Sequence, residues 1–292
     1  MFANVTFFSL LATTTVAAES DSAKSATVER HDDLVYAEVD GHKLLLNLMV
    51  PKDVKRPPLV VFIHGGSWKA GSYKQCKVDW LAEHGFAVAS IEYRFTQVAT
   101  FPAQIFDCKA AIRWLRAHAK EYGYDASRIG VSGSSAGGHL AVLLGTSGDV
   151  PELEGTVGGN LDQSSRVAAV VDYFGPTDFV LRSKTHHARA NAVGSGTYGL
   201  LGGPANEKVA EARAASGVTY VSADDPPLLI LHGDADKTVY MDQSESIRDA
   251  YKKAGLPVEL IVVPGGGHGG TAFVTGKNRQ RVIDFFDAAL RK

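Results

Sequence analysis

Arg128-Ile129-Gly130-Val131-Ser132-Gly133-Ser134-Ser135-Ala136-Gly137-Gly138-His139-Leu140 begins as a short strand and turns abruptly into a helix. The strand covers Arg128 to Ser132 and the helix Ser135 to Leu144. At their junction stands Gly133-Ser134-Ser135-Ala136-Gly137, a G-x-S-x-G pattern in the strand–turn–helix setting it requires. So sharp a reversal forces its central residue into strained backbone geometry and lifts Ser135 Oγ clear of the sheet edge. Glycines two before and two after remove side chains that would collide there. The helix starting at Ala136 aims its free N–H groups and the positive end of its dipole at the same spot. Negative charge forming on an attacked carbonyl oxygen is stabilised there. Ser135 is the candidate nucleophile, and Ser134, at the x position, is structural.

On either side of this turn, apolar strands alternate with amphipathic helices. Leu34 to Val39, Asp40-Gly41 and Lys43 to Val50 form a hairpin around a favoured two-residue turn. Leu59 to Ile63 and Phe86 to Ile91 are continuous apolar runs, as expected of strands covered on both faces. A helical stretch is expected between them, around Lys74 to Glu83. From Pro102 to Tyr122, Ile105, Cys108, Ile112 and Leu115 recur at helical spacing. Val167 to Tyr173, Pro227 to Leu231 and Val258 to Val263 are further strands. Helices around Met241 to Lys253 and Asn278 to Leu290 follow the last two. The alternation predicts one α/β domain over residues 34–292, a mostly parallel sheet with helices on both faces. Residues 179–223, glycine-rich with a helix around Glu207 to Ala215, interrupt it. They are either a plain excursion or a small lid or substrate wall.

A serine hydroxyl attacks well only when a base takes its proton and a carboxylate orients that base. Open α/β sheets build their sites past the strand C-termini, and three loops there carry suitable residues. His64-Gly65-Gly66-Ser67-Trp68 follows one strand. Its glycines let backbone N–H groups approach a ligand. Gly66 would complete an oxyanion hole with the Ala136 N–H, and Ser67 is the alternative donor. Such donors are worth about 3–4 kcal/mol of barrier each. His64 is expected to brace the loop by a hydrogen bond. Trp68 either packs the loop or lines the substrate site. His232-Gly233-Asp234-Ala235-Asp236 follows a second strand, with Asp236 the orienting acid and Asp234 a turn-former. Pro264-Gly265-Gly266-Gly267-His268-Gly269 follows a third, with His268 the base. The order Ser…Asp…His is that of the α/β-hydrolases.

The chain has 292 residues, with 30 Lys+Arg against 32 Asp+Glu. That balance provides no basic footprint for nucleic acid. No apolar run reaches the roughly 18 residues of a membrane span. Two cysteines, Cys76 and Cys108, are too few for a disulfide scaffold and are expected to be free thiols. His139 is expected to pack. His186-His187 lacks an evident third ligand, and neither H-E-x-x-H nor C-x-x-C occurs, so no metal is expected. No phosphate loop or dinucleotide fingerprint occurs, so no cofactor is expected. At the start, Val5 to Val16 are apolar or small and Val16-Ala17-Ala18 supplies small residues before Glu19, although no Lys or Arg precedes them. Residues 1–18 are read as a cleaved secretory signal, which would place the chain outside the cytoplasm, and residues 19–33 as a polar spacer.

Taken together, these residues resemble the α/β-hydrolase superfamily, and within it the bacterial bifunctional feruloyl/acetyl-xylan esterases, a prolyl-oligopeptidase-like group with an HGGxW oxyanion loop. The similarity runs from about Leu34 to Leu290. It rests on His64 to Gly71, Tyr93-Arg94, Phe101 to Gln104, Asp107 to Lys109, Gly133 to Leu140, Phe174 to Asp178, His232 to Asp236 and Pro264 to Gly269. The resemblance implies an eight-stranded α/β-hydrolase sheet and a Ser135–His268–Asp236 triad. It also implies action on a small-molecule or polysaccharide-linked ester. Two positions depart from the pattern: Gly217 in place of a proline, and Val239-Tyr240 in place of Val-Pro. Arylformamidases of the kynurenine formamidase type share the loop and triad and are the alternative, as is a lipase.

Overall fold

The computed structural model describes residue 1 and residues 27–291. The expected secretory signal lies outside the described residues. Eight strands form one sheet: β1 (Val28–Val39), β2 (His42–Pro51), β3 (Pro58–Ile63), β4 (Ala87–Ile91), β5 (Asp125–Ser134), β6 (Ala169–Tyr173), β7 (Leu228–Gly233) and β8 (Val258–Val263). Their spatial order is β1-β2-β4-β3-β5-β6-β7-β8. β1 and β2, and β2 and β4, are antiparallel; every later pairing is parallel. This is the eight-stranded, mostly parallel sheet expected.

Strands β3, β4 and β6 are buried throughout, because helices cover both faces. On one face, α1 (Ala103–Tyr122), α2 (Ala136–Thr146) and α7 (Asp242–Lys253) pack Ile105, Leu140 and Ile247 over Leu59, Val61 and Val131. On the other, α8 (Gly276–Leu290) and a 3-10 helix (Asp79–His84) pack Phe286 and Leu81 over Val60, Phe62 and Val171. Cys108 belongs to the first layer and Cys76 borders the second, and both are free thiols.

Two local expectations are corrected. The first strand begins at Val28, not Leu34, so residues 28–33 are not spacer. Glu29, Arg30, Asp32 and Asp33 look like linker because β1 is an exposed edge. The backbone of Val28 to His31 nonetheless pairs with β2 as far as Val28↔Pro51, and Asp32 and Asp33 bulge out between His31 and Leu34, the Asp33 N–H donating to Asn47 Oδ1 at 2.9 Å. The helix expected over Lys74 to Glu83 is reduced to the 3-10 helix Asp79–His84. Before it the chain turns on Ser72, whose Oγ accepts the Lys74 N–H at 3.1 Å. A side-chain acceptor of this kind competes with helical hydrogen bonding.

The insertion over 179–223 folds into four short helices, α3 (Phe179–Thr185), α4 (His187–Asn191), α5 (Gly196–Leu201) and α6 (Val209–Ala214), and the 3-10 turn Gly217–Tyr220. Its expected helix over Glu207 to Ala215 is therefore shorter. Gly217 lies under α2, where an added Cβ would stand 2.8 Å from Val142 Cγ1.

Beneath the oxyanion loop, the segment after β4 is held by a buried ion pair. Arg94 donates through Nε and Nη2 to the two Asp107 oxygens, the shortest bond being 2.7 Å, and the Arg94 N–H adds a bond of 2.9 Å. The Asp107 side chain is fully buried. Removing one partner of such a pair strands the other charge, at a cost of about 3–5 kcal/mol. Asp107→Ala is expected to lose that much stability in urea denaturation; a loss below about 1 kcal/mol would show that solvent readily takes over Arg94.

Candidate active site

At the end of β5 the chain reverses through Ser135, whose backbone lies at φ 56° and ψ −118°. The Ser135 N–H is anchored on Tyr173 O at 2.8 Å, at the end of β6. The flanking glycines are required by close approach. An added Cβ on Gly133 would stand 2.1 Å from Gly137 O, and one on Gly137 would stand 2.0 Å from Ile63 O.

Three sequence-predicted residues meet here. Ser135 Oγ–H donates to His268 Nε2 at 2.7 Å, and His268 Nδ1–H donates to Asp236 Oδ2 at 2.6 Å. Asp236 comes from the loop after β7 and His268 from the loop after β8. Those loops are tied together: Asp234 Oδ1 accepts the Gly265 N–H at 2.7 Å, and Ala235 N–H donates to Gly266 O at 2.9 Å. Asp234 sits in a turn, as expected, and its carboxylate also fastens the two loops, a role the turn expectation did not include. The Phe174 ring lies 4.8 Å from the His268 ring.

Asp236 is well supplied with donors. Its Oδ1 accepts N–H groups from Thr238 at 2.7 Å and Val239 at 3.0 Å. On the other side stands His232, fully buried. Ser244 Oγ–H donates to its Nδ1 at 2.6 Å. Its Nε2–H bonds Val239 O at 2.9 Å and lies 3.5 Å from Asp236 Oδ2. Burial alone would raise the Asp236 pKa. The close His232 imidazole and the hydrogen bonds from His268, Thr238 and Val239 outweigh that and hold it well below the usual carboxylate range. His232 and Ser244 are functional neighbours that sequence reasoning missed. The one available signal was a histidine ending an otherwise apolar strand.

The oxyanion candidates lie beside Ser135. Ala136 is the first residue of α2 and offers its free N–H. Gly66 sits at φ 122°, a conformation suited to glycine, and Ser67 follows at φ 54°. Among the described residues neither loop N–H has a backbone acceptor. His64 braces the loop as expected: its Nδ1–H donates to Gly65 O at 2.7 Å, and its ring stacks on Tyr93 at 4.6 Å. Tyr93 Oη–H in turn donates to His64 O at 3.1 Å.

Trp68 is 4% exposed. Its indole N–H donates to His139 Nδ1 at 3.0 Å, and its ring packs on Phe179. It backs the loop and also lines the 210 Å³ cavity on the insertion side of Ser135. His139 packs, as expected, and its Nε2–H donates to Ala215 O at 2.7 Å. His186 stacks flat on Tyr240 at 3.8 Å. Among the described residues no group of three His, Cys, Asp or Glu side chains could hold a metal ion, and no helix is long and apolar enough to cross a membrane.

Space opens on both sides of Ser135. A cavity of 340 Å³ runs past His64, Gly66, Gln75, Lys77 and His268. It adjoins one of 330 Å³ walled by Tyr173, Phe174, Phe273 and Val274. On the opposite side, a cavity of 210 Å³ lies between Ser67 and the insertion.

Burial pushes His139 down to about 4 from its ordinary 6.5. As pH falls below 6.5, the unfolded chain takes up a proton that the folded chain refuses, so stability is lost between pH 6.5 and 4. That contribution approaches about 3 kcal/mol. Urea denaturation of the wild type should therefore fall more steeply across this window than that of His139→Gln; parallel curves would show that His139 titrates freely in the fold.

Comparison with known proteins places this arrangement. The BD-FAE family profile matches residues 46–251. The chain is similar to the esterase LipC of Mycobacterium tuberculosis, 32% identical over 236 residues that cover 79% of this chain and 58% of LipC. It spans between 48% and 59% of the length of the first curated relatives it matches. Among solved structures, it is similar to a truncated carbohydrate esterase from gut microbiota, with a TM-score of 0.83, 32% identity, and coverage of 92% of this chain and 98% of that one. It is also similar to a bifunctional GH43-CE protein of Bacteroides eggerthii, with a TM-score of 0.81, 37% identity, and coverage of 89% of this chain and 35% of that one. The chain belongs to the BD-FAE family of α/β-hydrolase esterases.

Proposed function

We propose that the chain is a serine carboxylic-ester hydrolase acting on short-chain or carbohydrate-linked esters, acetyl or feruloyl, through an acyl-enzyme. The unbroken relay Ser135 Oγ–His268–Asp236, with bonds of 2.7 and 2.6 Å, carries this reading. Ser135 Oγ attacks the ester carbonyl carbon while His268 Nε2 takes its proton. The carbonyl oxygen, now negative, is held by the Ala136 N–H and by that of Gly66 or Ser67. Asp236 stabilises the imidazolium without itself taking the proton. The tetrahedral adduct collapses, the C–O bond to the alcohol breaks, and the alcohol leaves with the proton from His268. Water then attacks the acyl-serine. His268 accepts its proton and returns one to Ser135 Oγ, and the acid is released. No step calls on a metal or cofactor.

The carbohydrate reading is supported by the gut carbohydrate esterase and the GH43-CE protein among the similar structures. An aryl acyl group is supported by the aromatic wall of Tyr173, Phe174 and Phe273, which continues from the cavity at Ser135. We read residues 1–18 as the leader that would carry such an enzyme to polysaccharide outside the cytoplasm, and the insertion over 179–223 as one wall of the site.

Ser135→Ala should lose hydrolysis of 4-nitrophenyl acetate by about four orders of magnitude or more, with an unchanged far-UV circular dichroism spectrum. A surviving rate in the folded variant eliminates the assignment. Preference for acetate through butyrate over longer 4-nitrophenyl esters supports a carbohydrate-type esterase against a lipase.

A further inference from the structure

The 210 Å³ cavity beside Ser135 carries an unbalanced charge. Three cations line it, Lys69, Arg182 and Arg189, and no Asp or Glu is among its lining residues. Lys69 and Arg189 are exposed, but Arg182 is only 5% exposed. Its Nη2 donates to Thr238 O at 2.9 Å. Its Nε and Nη1 have no hydrogen-bond partner among the described residues, and no carboxylate lies within ion-pair distance of it. Asp236 and Asp242 are near enough to be felt, yet neither pairs with it. Thr197, 1% exposed and lining the same cavity, likewise has an unpartnered hydroxyl.

A buried guanidinium without a counter-charge is costly. The other two buried cations of the described chain are neutralised: Arg113 and Lys109 both meet Glu154. Arg182 stands apart from them and borders the space into which one arm of a bound ester must run. Consistent with this, burial and the neighbouring Arg189 push the Arg182 pKa down to about 10, still leaving it charged at neutral pH.

We propose that this cavity receives a carboxylate carried by the substrate, with Arg182 its inner contact and Lys69 and Arg189 its outer ones. The proposal rests on the esterase reading and names the substrate class: an ester with an anionic arm. The carboxylate could come with the alcohol, as on an acetylated uronic-acid sugar, or with the acyl group, as in a half-ester of a dicarboxylic acid. A guanidinium suits either, since its planar fork matches a carboxylate.

Two substrate pairs distinguish the sources. An O-acetyl methyl glucuronoside is compared with an O-acetyl methyl xyloside, and mono-4-nitrophenyl glutarate with 4-nitrophenyl valerate. In one pair the wild type should favour the charged member about tenfold or more in kcat/KM, chiefly through KM, as a hydrogen bond to a charged group warrants. Arg182→Met should bring that ratio towards one, and Arg182→Lys should recover part of it. A preference absent from both pairs, or one that survives Arg182→Met, overturns the proposal. So does an equal loss on charged and neutral members, which would mark Arg182 as a brace for the Thr238 loop. If Arg182→Met does not fold, the surface change Arg189→Gln carries the test, and an undiminished preference there overturns it. Turnover of the neutral esters without any charge preference defeats this proposal alone; a wild type inert on all four substrates defeats the esterase reading with it.

Discussion

The backbone of Ser135 is held where few residues other than glycine settle, at φ 56° and ψ −118°, and the rest of the site is arranged around that strain. The cost of such a conformation, of order 1–3 kcal/mol, is offset by packing that leaves no alternative. The first turn of α2 presses against the end of β3, with Gly137 admitting the Ile63 carbonyl, and the Ser135 N–H is fastened to Tyr173 on β6. The central strands and one helix thus clamp a single residue. The same compression that exposes Oγ brings the Ala136 N–H beside it, so the proposed nucleophile and oxyanion donor follow from one local geometry.

His268 and Asp236, the proposed base and acid, reach this fixed point from 133 and 101 residues further along the chain. Two long loops would meet it only part of the time if they moved independently. They do not: Asp234 and Ala235 bind the glycine-rich loop directly, and Gly233 packs against Gly266 at a distance no side chain would permit. Asp236 is then fixed from several directions by Thr238, Val239 and His232, with Ser244 locking the His232 ring. A carboxylate so surrounded remains ionised and stays in place, which is what an imidazole needs of its partner to present one nitrogen to the serine.

These contacts explain which parts of the site were legible in sequence. Ser135, Asp236 and His268 stand in short glycine-bearing loops at strand ends, where a local pattern and the polarity of the sheet suffice. The eight-stranded sheet was legible for the same reason, since buried parallel strands read as uninterrupted apolar runs. His232, Ser244 and Phe174 were not, because their roles arise only when β7, α7 and the end of β6 pack together. Polar residues on the solvent side of an edge strand concealed the start of β1, where the backbone ladder from Val28 to His31 sets the pairing. The segment Lys74 to Glu83 was expected to be helical, yet it is helical only from Asp79, and Gln75 and Lys77 before that line a cavity.

The two departures from the family pattern fall where the insertion meets the core. Tyr240, in place of the proline, stacks on His186 at 3.8 Å, joining the acid loop to the end of α3. Arg182, one turn earlier on α3, holds Thr238 O in that loop. Gly217 lets the closing turn of the insertion settle against Val142 on α2, next to the Ala215 carbonyl that His139 binds. Through His139 the chain of contacts continues to Trp68 and the oxyanion loop. The insertion is therefore fastened to both halves of the site, the acid loop and the oxyanion loop, and its cavity-lining residues are positioned by the same contacts that position Asp236. On our proposal that the insertion is one wall of the site, a substrate accommodated there would press on the loop that holds Asp236, and specificity and rate would be physically coupled.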